Sequence, residues 1–388
     1  MDTIESFLDE IDNISGKLYK NEILLKPIIL YGAGVVGKKM YRILKSNNID
    51  VVCFIDTVIC NESKSEEIIS IDNFEVKVYH PSNRFFEAIK QNTNVIMSAL
   101  FTIEQQHKIK KELYYYGFKS VISLNEIDFN FVNYKDFNDL IGVEGYEAHD
   151  DLDKDKIKKA FYLLETEFDK EMYIEYIRAK ITKNFSRVKY PYEPDMQYLA
   201  HDIPIAKDYS RYVDCGAFDG DTIRNFASKG IKLRNIVAFE PQYELQKKIM
   251  DSAVCNLNRL ESITIFPCGV STKTEKRKFM TKGNVTDSSK IDENGNDIIQ
   301  CVSIDEALYG FNPTFIKMDI EGAEIDALNG AKETIIKNHP QLAICVYHRL
   351  SDIWEIPLLI KSFYEGYKFY LRSYRIMGQE TVLYAFPK

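Results

Sequence analysis

The stretch Tyr212-Val213-Asp214-Cys215-Gly216-Ala217-Phe218-Asp219-Gly220-Asp221-Thr222 decides how this chain is read. An apolar run ends in a glycine-bearing loop, and a helix pattern follows. Glycine permits a tight turn there and lets backbone approach a bound molecule. Working outward, residues 235–239 form a second strand that closes on Glu240-Pro241, and residues 242–257 read as a helix. A third strand at 263–266 ends near Cys268-Gly269. A fourth at 314–318 runs into Asp319-Ile320-Glu321-Gly322-Ala323-Glu324, and a fifth at 342–347 ends at His348. Residues 367–374 and 381–386 read as a closing antiparallel pair. In an open α/β sheet, ligands bind beyond the carboxyl ends of the strands, where these residues gather. An acid closing the second strand, such as Glu240, can accept both hydroxyls of a ribose.

The segments VDCGAFDGDT, AFEP, CGVS, VSIDEAL, FIKMDIEGAEIDALNGA and YHRLSDIWEIPLLI together resemble the FkbM family of S-adenosylmethionine (SAM)-dependent methyltransferases. The resemblance spans roughly residues 209–388. It implies a seven-stranded class I methyltransferase sheet and O-methyl transfer to hydroxyls of sugars or polyketides. It also implies cofactor binding by Asp214, Gly216 and Glu240, and it puts Asp319 and Glu321 beside the transferred methyl. The neighbours Ala217, Gly220, Thr222, Pro241, Cys268 and Gly269 complete the expected cofactor set, which includes Asp319.

Methyl transfer to a hydroxyl needs a base and accurate positioning. His348, just past a strand end, is the expected base, with an unperturbed pKa of about 6.5. Asp352, four residues on, is expected to orient it. Asp319 and Glu321 are expected to hold the acceptor, with a divalent ion as the alternative, and stand with His348 as the catalytic candidates. Glu321 has an alternative reading as a cap on a helix starting at Gly322. No metal is expected, because His80, His107, His149, His201 and His339 show no ligand spacing. Residues 283–296, centred on Ser288 and Ser289, read as a solvated turn, with an acceptor-covering loop as the alternative.

The first block carries its own pattern. A helix is expected from Ile4, Phe7, Leu8, Ile11 and Ile14. Strand 28–31 runs into Gly32-Ala33-Gly34-Val35-Val36-Gly37 and a helix at 38–46; strand 51–55 ends at Asp56. Weaker strands are expected at 76–79, 95–99 and 119–122, with helices at 84–90 and 103–116 between them. Alternation of this kind makes a Rossmann-like parallel sheet. Gly32 serves the turn, Gly34 the approach of a pyrophosphate, Gly37 close helix packing, and Asp56 the ribose hydroxyls. The block resembles the small nucleotide-binding domains of bacterial sugar-modifying enzymes, through YGAGVVGKKMYRILK followed by FID. That resemblance implies a bound dinucleotide, such as NAD(P), or a nucleotide-sugar.

Charge separates the blocks. Residues 126–155 hold 10 acidic and 2 basic residues, which is the whole of the net −8; the flanks are near neutral. Residues 156–187 show helical spacing, as one long helix or a pair, and the prolines at 191 and 194 end it. The expected domains are therefore 1–125, nucleotide-binding; 126–208, acidic connector and helical segment; and 209–388, methyltransferase. Fold class is α/β, with two doubly wound domains.

An acidic balance speaks against a nucleic-acid partner held by phosphate contacts. No apolar run reaches the ~18 residues of a membrane span, and no signal-peptide pattern opens the chain. Seven cysteines without a Cys-x-x-Cys pair, three of them in strand-like runs (Cys53, Cys215, Cys345), point to buried thiols in a reducing cytoplasm. The expected partner is a small-molecule or glycan acceptor, and a homo-oligomer is compatible with the sequence. Two other functions stay open: a nicotinamide-dependent sugar-nucleotide oxidoreductase working through the first domain, and a non-catalytic nucleotide-binding scaffold.

Overall fold

The computed structural model describes residues 3–14, 22–142, 152–204, 208–256, 260–281 and 289–388. The chain folds as two compact units that take turns along the sequence. One comprises 1–152, 174–194 and 373–379; the other comprises 153–173, 195–372 and 380–388. The sequence boundaries at 125 and 208 lie inside these units, since the segment read as a connector contributes to both.

The first unit holds a six-stranded sheet. Its strands are β1 (Ile28–Tyr31), β2 (Val51–Ile55), β3 (Glu66–Ile71), β4 (Phe74–Tyr79), β5 (Asn94–Met97) and β6 (Val121–Ser123), in the order β3-β4-β2-β1-β5-β6. All pairings are parallel except β3 with β4. β1 is buried at every residue, as expected for a strand covered on both faces. The opening helix Thr3–Ile14 buries Ile4, Phe7, Leu8 and Ile11, the stripe read from the sequence.

β3 was not expected. It opens on Glu66 and Glu67, and its isoleucines, Ile68, Ile69 and Ile71, sit among exposed and half-buried positions with no regular alternation of apolar and polar residues. It exists because Asp72, at φ +55°, turns the chain back onto β4.

The second unit holds a seven-stranded sheet. Its strands are β7 (Arg211–Cys215), β8 (Asn235–Phe239), β9 (Ser262–Phe266), β14 (Phe315–Met318), β15 (Gln341–Cys345), β16 (Tyr367–Ser373) and β17 (Thr381–Pro387). Between β9 and β14 the chain adds β10 (Gly269–Val270), β11 (Glu275–Met280), β12 (Lys290–Ile291) and β13 (Asp297–Val302), a separate four-stranded sheet that the sequence did not disclose. The large sheet runs β16-β17-β15-β14-β7-β8-β9, with β17 antiparallel to β15. This is the class I methyltransferase sheet expected from the sequence. Strand order reverses between β7 and β14, so the loops after these two strands border a crevice.

The helical stretch is a pair, Lys154–Phe161 and Glu167–Thr182. All seven cysteines are unpaired and all but Cys255 are buried. Among the described residues, no helix is long and apolar enough to cross a membrane.

Candidate active site

Beyond β7 the chain turns through Gly216 at φ +77°, Phe218 at +48° and Gly220 at +82°. A Cβ on Gly216 would lie 2.0 Å from the Asp319 carbonyl oxygen, so only glycine lets the loops after β7 and β14 meet. A Cβ on Gly220 would strike the Ser252 side chain at 2.7 Å. Glu240, at the end of β8, reaches back to this loop. Its carboxylate accepts the Phe218 N–H at 3.0 Å and the Gln242 N–H at 2.8 Å. Burial pushes its pKa up to about 7, against the pull of those two N–H groups.

Beneath the loop, Asp214 is fully buried and faces the Lys317 ammonium at 3.0 Å. Lys317 also donates to the Gly216 carbonyl at 2.6 Å. Burial works against the charge on Lys317, yet Asp214, Asp319 and Asp221 outweigh it and hold the lysine above its ordinary range. Asp214 thus acts on the loop through Lys317.

The loops border a cleft of about 590 Å³ of empty space, open mouth included. Gly216, Glu240, Pro241, Gly269, Asp319 and Glu321 line it. Asp214, Ala217, Gly220, Thr222 and Cys268, also expected at the cofactor, lie outside its lining. Ala217 is buried, and its N–H donates to the Phe239 carbonyl at 3.2 Å. Cys268 is buried, with its thiol pushed up to about 11 by that burial. The cleft has an apolar wall that the sequence reading missed: Phe239, Val270, Phe279, Ile291 and Ile299. Four of these five come from the small four-stranded sheet, in which β10 pairs parallel to β13 and the other pairings are antiparallel. Its strands alternate charged and apolar residues too irregularly to signal a wall. Ser289 also lines the cleft, whereas residues 283–288, Ser288 among them, lie outside the described residues, as does His149.

Asp319 and Glu321 belong to the lining, and His348, the expected base, lies behind them and outside it. His348 Nε2 is 3.5 Å from Asp319 Oδ1 and 3.6 Å from Glu321 Oε2. Nδ1 is 3.0 Å from Glu324 Oε1, and that oxygen also accepts the Ile320 N–H at 2.9 Å. The Tyr347 hydroxyl donates to Asp319 at 3.2 Å. Asp352, expected to orient His348, instead accepts the Arg349 N–H at 3.1 Å, and Glu324 takes the place on Nδ1. The reason is local geometry: Asp352 opens the helix Asp352–Phe363 and turns back on its own first turn. Burial disfavours a charged His348, but Glu324 and Glu321 outweigh it and raise its pKa well above the ordinary value. Burial likewise raises Glu321, partly offset by His348. Glu321 sits at φ +57°, a conformation strained for any residue but glycine, followed by Gly322 at +93°. Asp319, Glu324 and His348 bring ligand-type atoms within 4.8 Å of one another, a closeness that the Glu324–His348 ion pair accounts for.

In the first unit, Gly32 turns at φ +100°, and a Cβ on Gly37 would meet the Gly32 carbonyl oxygen at 1.9 Å. Nothing lies within 4 Å of a Cβ on Gly34. The Asp56 carboxylate accepts the N–H groups of Ala33 at 2.8 Å, Val58 at 2.8 Å and Ile59 at 2.9 Å. It ties the glycine loop to the end of β2, much as Glu240 ties the loop after β7.

Residues 214–371 match the model of the methyltransferase FkbM domain. The whole chain is similar to the crystal structure of methyltransferase FkbM from Methylobacillus flagellatus KT. Identity there is 18%, with 99% of each chain covered and a TM-score of 0.64, a likeness of fold. A fibrillarin/Nop5p complex matches at 14% identity over 50% of this chain and 79% of that one, with a TM-score of 0.31, too low to carry an argument. No curated protein matches the chain by sequence. The cleft fits SAM: a glycine cradle that a Cβ would fill, a carboxylate at the second strand end, and an apolar wall. The chain therefore carries a methyltransferase FkbM domain over residues 214–371 and is a SAM-dependent methyltransferase.

Proposed function

We propose that the chain methylates a hydroxyl of a sugar, nucleotide-sugar or glycan precursor in the cytoplasm. The observation that carries this reading is the pair of carboxylates in the cleft's lining, Asp319 and Glu321, backed by His348 Nε2 at 3.5 and 3.6 Å. When bound, SAM supplies an electrophilic methyl group. Glu240 would hold its ribose and Gly216 its amino-acid portion, with Phe279 and Ile299 against the adenine. Asp319 and Glu321 can accept hydrogen bonds from acceptor hydroxyls and so orient one of them. His348 Nε2, facing these carboxylates, takes the hydroxyl proton; that step needs a neutral imidazole and so runs faster at alkaline pH. The low exposure of His348, 5%, limits competition from water.

Calorimetric titration with S-adenosylhomocysteine tests the cofactor half, with micromolar binding at one site per chain expected. A screen of nucleotide-sugars and glycans for acceptor-dependent release of S-adenosylhomocysteine tests the other. Turnover with amines and none with hydroxyls would sink the O-methyl reading. The nicotinamide alternative draws little from the first unit, where the Asp56 carboxylate already serves three backbone N–H groups.

A further inference from the structure

We infer that Glu324 is a positioning residue for His348: it keeps a proton on Nδ1 and leaves Nε2 as the nitrogen that exchanges protons with the cleft. The inference rests on the methyl-transfer reading of the cleft and adds a residue to it. Its basis is geometric. Glu321 and Gly322 reverse the backbone at φ +57° and +93°, and this brings the Glu324 side chain back beneath the loop. There Oε1 accepts the Ile320 N–H and sits 3.0 Å from His348 Nδ1. Glu324 is 1% exposed and His348 5%, so solvent does not compete for either group.

An ionised carboxylate only accepts, and a neutral imidazole carries one N–H. Carboxylates face both ring nitrogens, but Nδ1 is at 3.0 Å from Glu324 while Nε2 is at 3.5 and 3.6 Å from Asp319 and Glu321, so Nδ1 is the nitrogen that retains its hydrogen. Nε2, facing Asp319 and Glu321, is left to take the acceptor's hydroxyl proton as the new O–C bond forms, and to release it later to water. The charged groups around the ring are Asp319 and Glu321 from the loop after β14, Glu324 from the following helix, and Arg349 and Asp352 beyond His348 itself. The carboxylates among them also keep the imidazolium stable once formed, with Glu324 first and Glu321 next in their direct charge attraction to His348.

The test is a pH series of side-chain ¹H–¹⁵N spectra of the full-length protein. The chain has 6 histidines, and His348→Asn identifies the signals of His348 by their loss. As pH rises, Nε2 is expected to lose its proton while Nδ1 keeps it, with a midpoint well above that of a free histidine. Glu324→Gln is expected to lower the midpoint by about 1 pH unit or more, and to let the neutral ring carry its hydrogen on Nε2. Glu324→Asp is expected to restore part of that shift. Loss of the Nδ1 proton in the unmodified protein overturns the inference, even if Glu324→Gln does not fold. So does an unmoved midpoint in folded Glu324→Gln. These spectra read the ion pair alone, whereas failure of the unmodified protein to bind S-adenosylhomocysteine would strike the methyl-transfer reading instead.

Discussion

Glu240, Asp352 and His348 are buried groups whose pKa values all lie above their ordinary ones. A raised pKa means that the folded state holds a proton which the unfolded state has released. The stability this contributes is fully present below the unfolded pKa and is lost as pH rises through the folded value. For Glu240 and Asp352 the window is roughly pH 4 to 7, since both are pushed up to about 7. His348 extends the loss to higher pH. The ligand-free protein is therefore expected to unfold at lower urea concentration at pH 8 than at pH 5.5. Glu240 alone accounts for about 3 kcal/mol over the whole window as an upper figure, about 2 kcal/mol of it between pH 5.5 and 8, and Glu240→Gln should flatten the slope. A urea midpoint that climbs over this range would contradict the assignment. Lys317 offers a second check. Removing it as Lys317→Met leaves Asp214 buried without its ion partner, which is expected to cost about 3–5 kcal/mol in urea unfolding. The further change Asp214→Leu should recover much of that loss.

At the scale of elements, the strand ends were legible because each is a buried apolar run stopped by an acid or a glycine. β7, β8, β14 and β15 fall within two residues of their expected limits. The loop after β7 follows from the same signal, and Gly216→Ala probes it. The added Cβ would stand 2.0 Å from the Asp319 carbonyl at a φ of +77°. The strained φ costs about 1–3 kcal/mol, and the loops after β7 and β14 must part. S-adenosylhomocysteine affinity should fall by about tenfold or more, on the scale of about 1.4 kcal/mol per decade. Unchanged affinity would show that the two loops need not touch to bind the cofactor. β3 and the small four-stranded sheet were not legible. Charged residues open β3, β11, β12 and β13 and most of their positions are exposed or half-buried, so only pairing with a neighbour makes them strands. That hid the apolar wall of the cleft, because Phe279, Ile291 and Ile299 become a surface only once β11, β12 and β13 lie side by side.

Across the whole molecule, the catalytic unit draws on segments well upstream of the strand that opens its sheet. Arg372 is 1% exposed and meets Asp169 at 2.5 Å and Asp202 at 2.7 Å. Lys156, in the first helix of the pair, meets Glu355 at 2.7 Å. A fragment of residues 209–388 lacks Asp169 and Asp202 and leaves a buried guanidinium uncompensated. Its expected cost is about 3–5 kcal/mol, a large share of the 5–15 kcal/mol that holds a typical domain together. It should show no cooperative thermal transition, whereas a fragment of 153–388 should; a sharp transition in the shorter piece would refute this. The acidic run at 126–155 contains one edge between the two units, at 152/153, while the further edges at 173/174, 194/195, 372/373 and 379/380 carry no such change of charge. Sequence alone determined the α/β class, the order of the strand ends and the residues at the cleft's polar end, because burial and turn chemistry act over a few neighbouring residues. Only the tertiary structure decided that Asp214 acts through Lys317, that Glu324 and not Asp352 faces His348, and which upstream carboxylates hold Arg372. Each of these is a charge contact between residues brought together by sheet order or by a backbone reversal, and one-dimensional spacing carries no record of it.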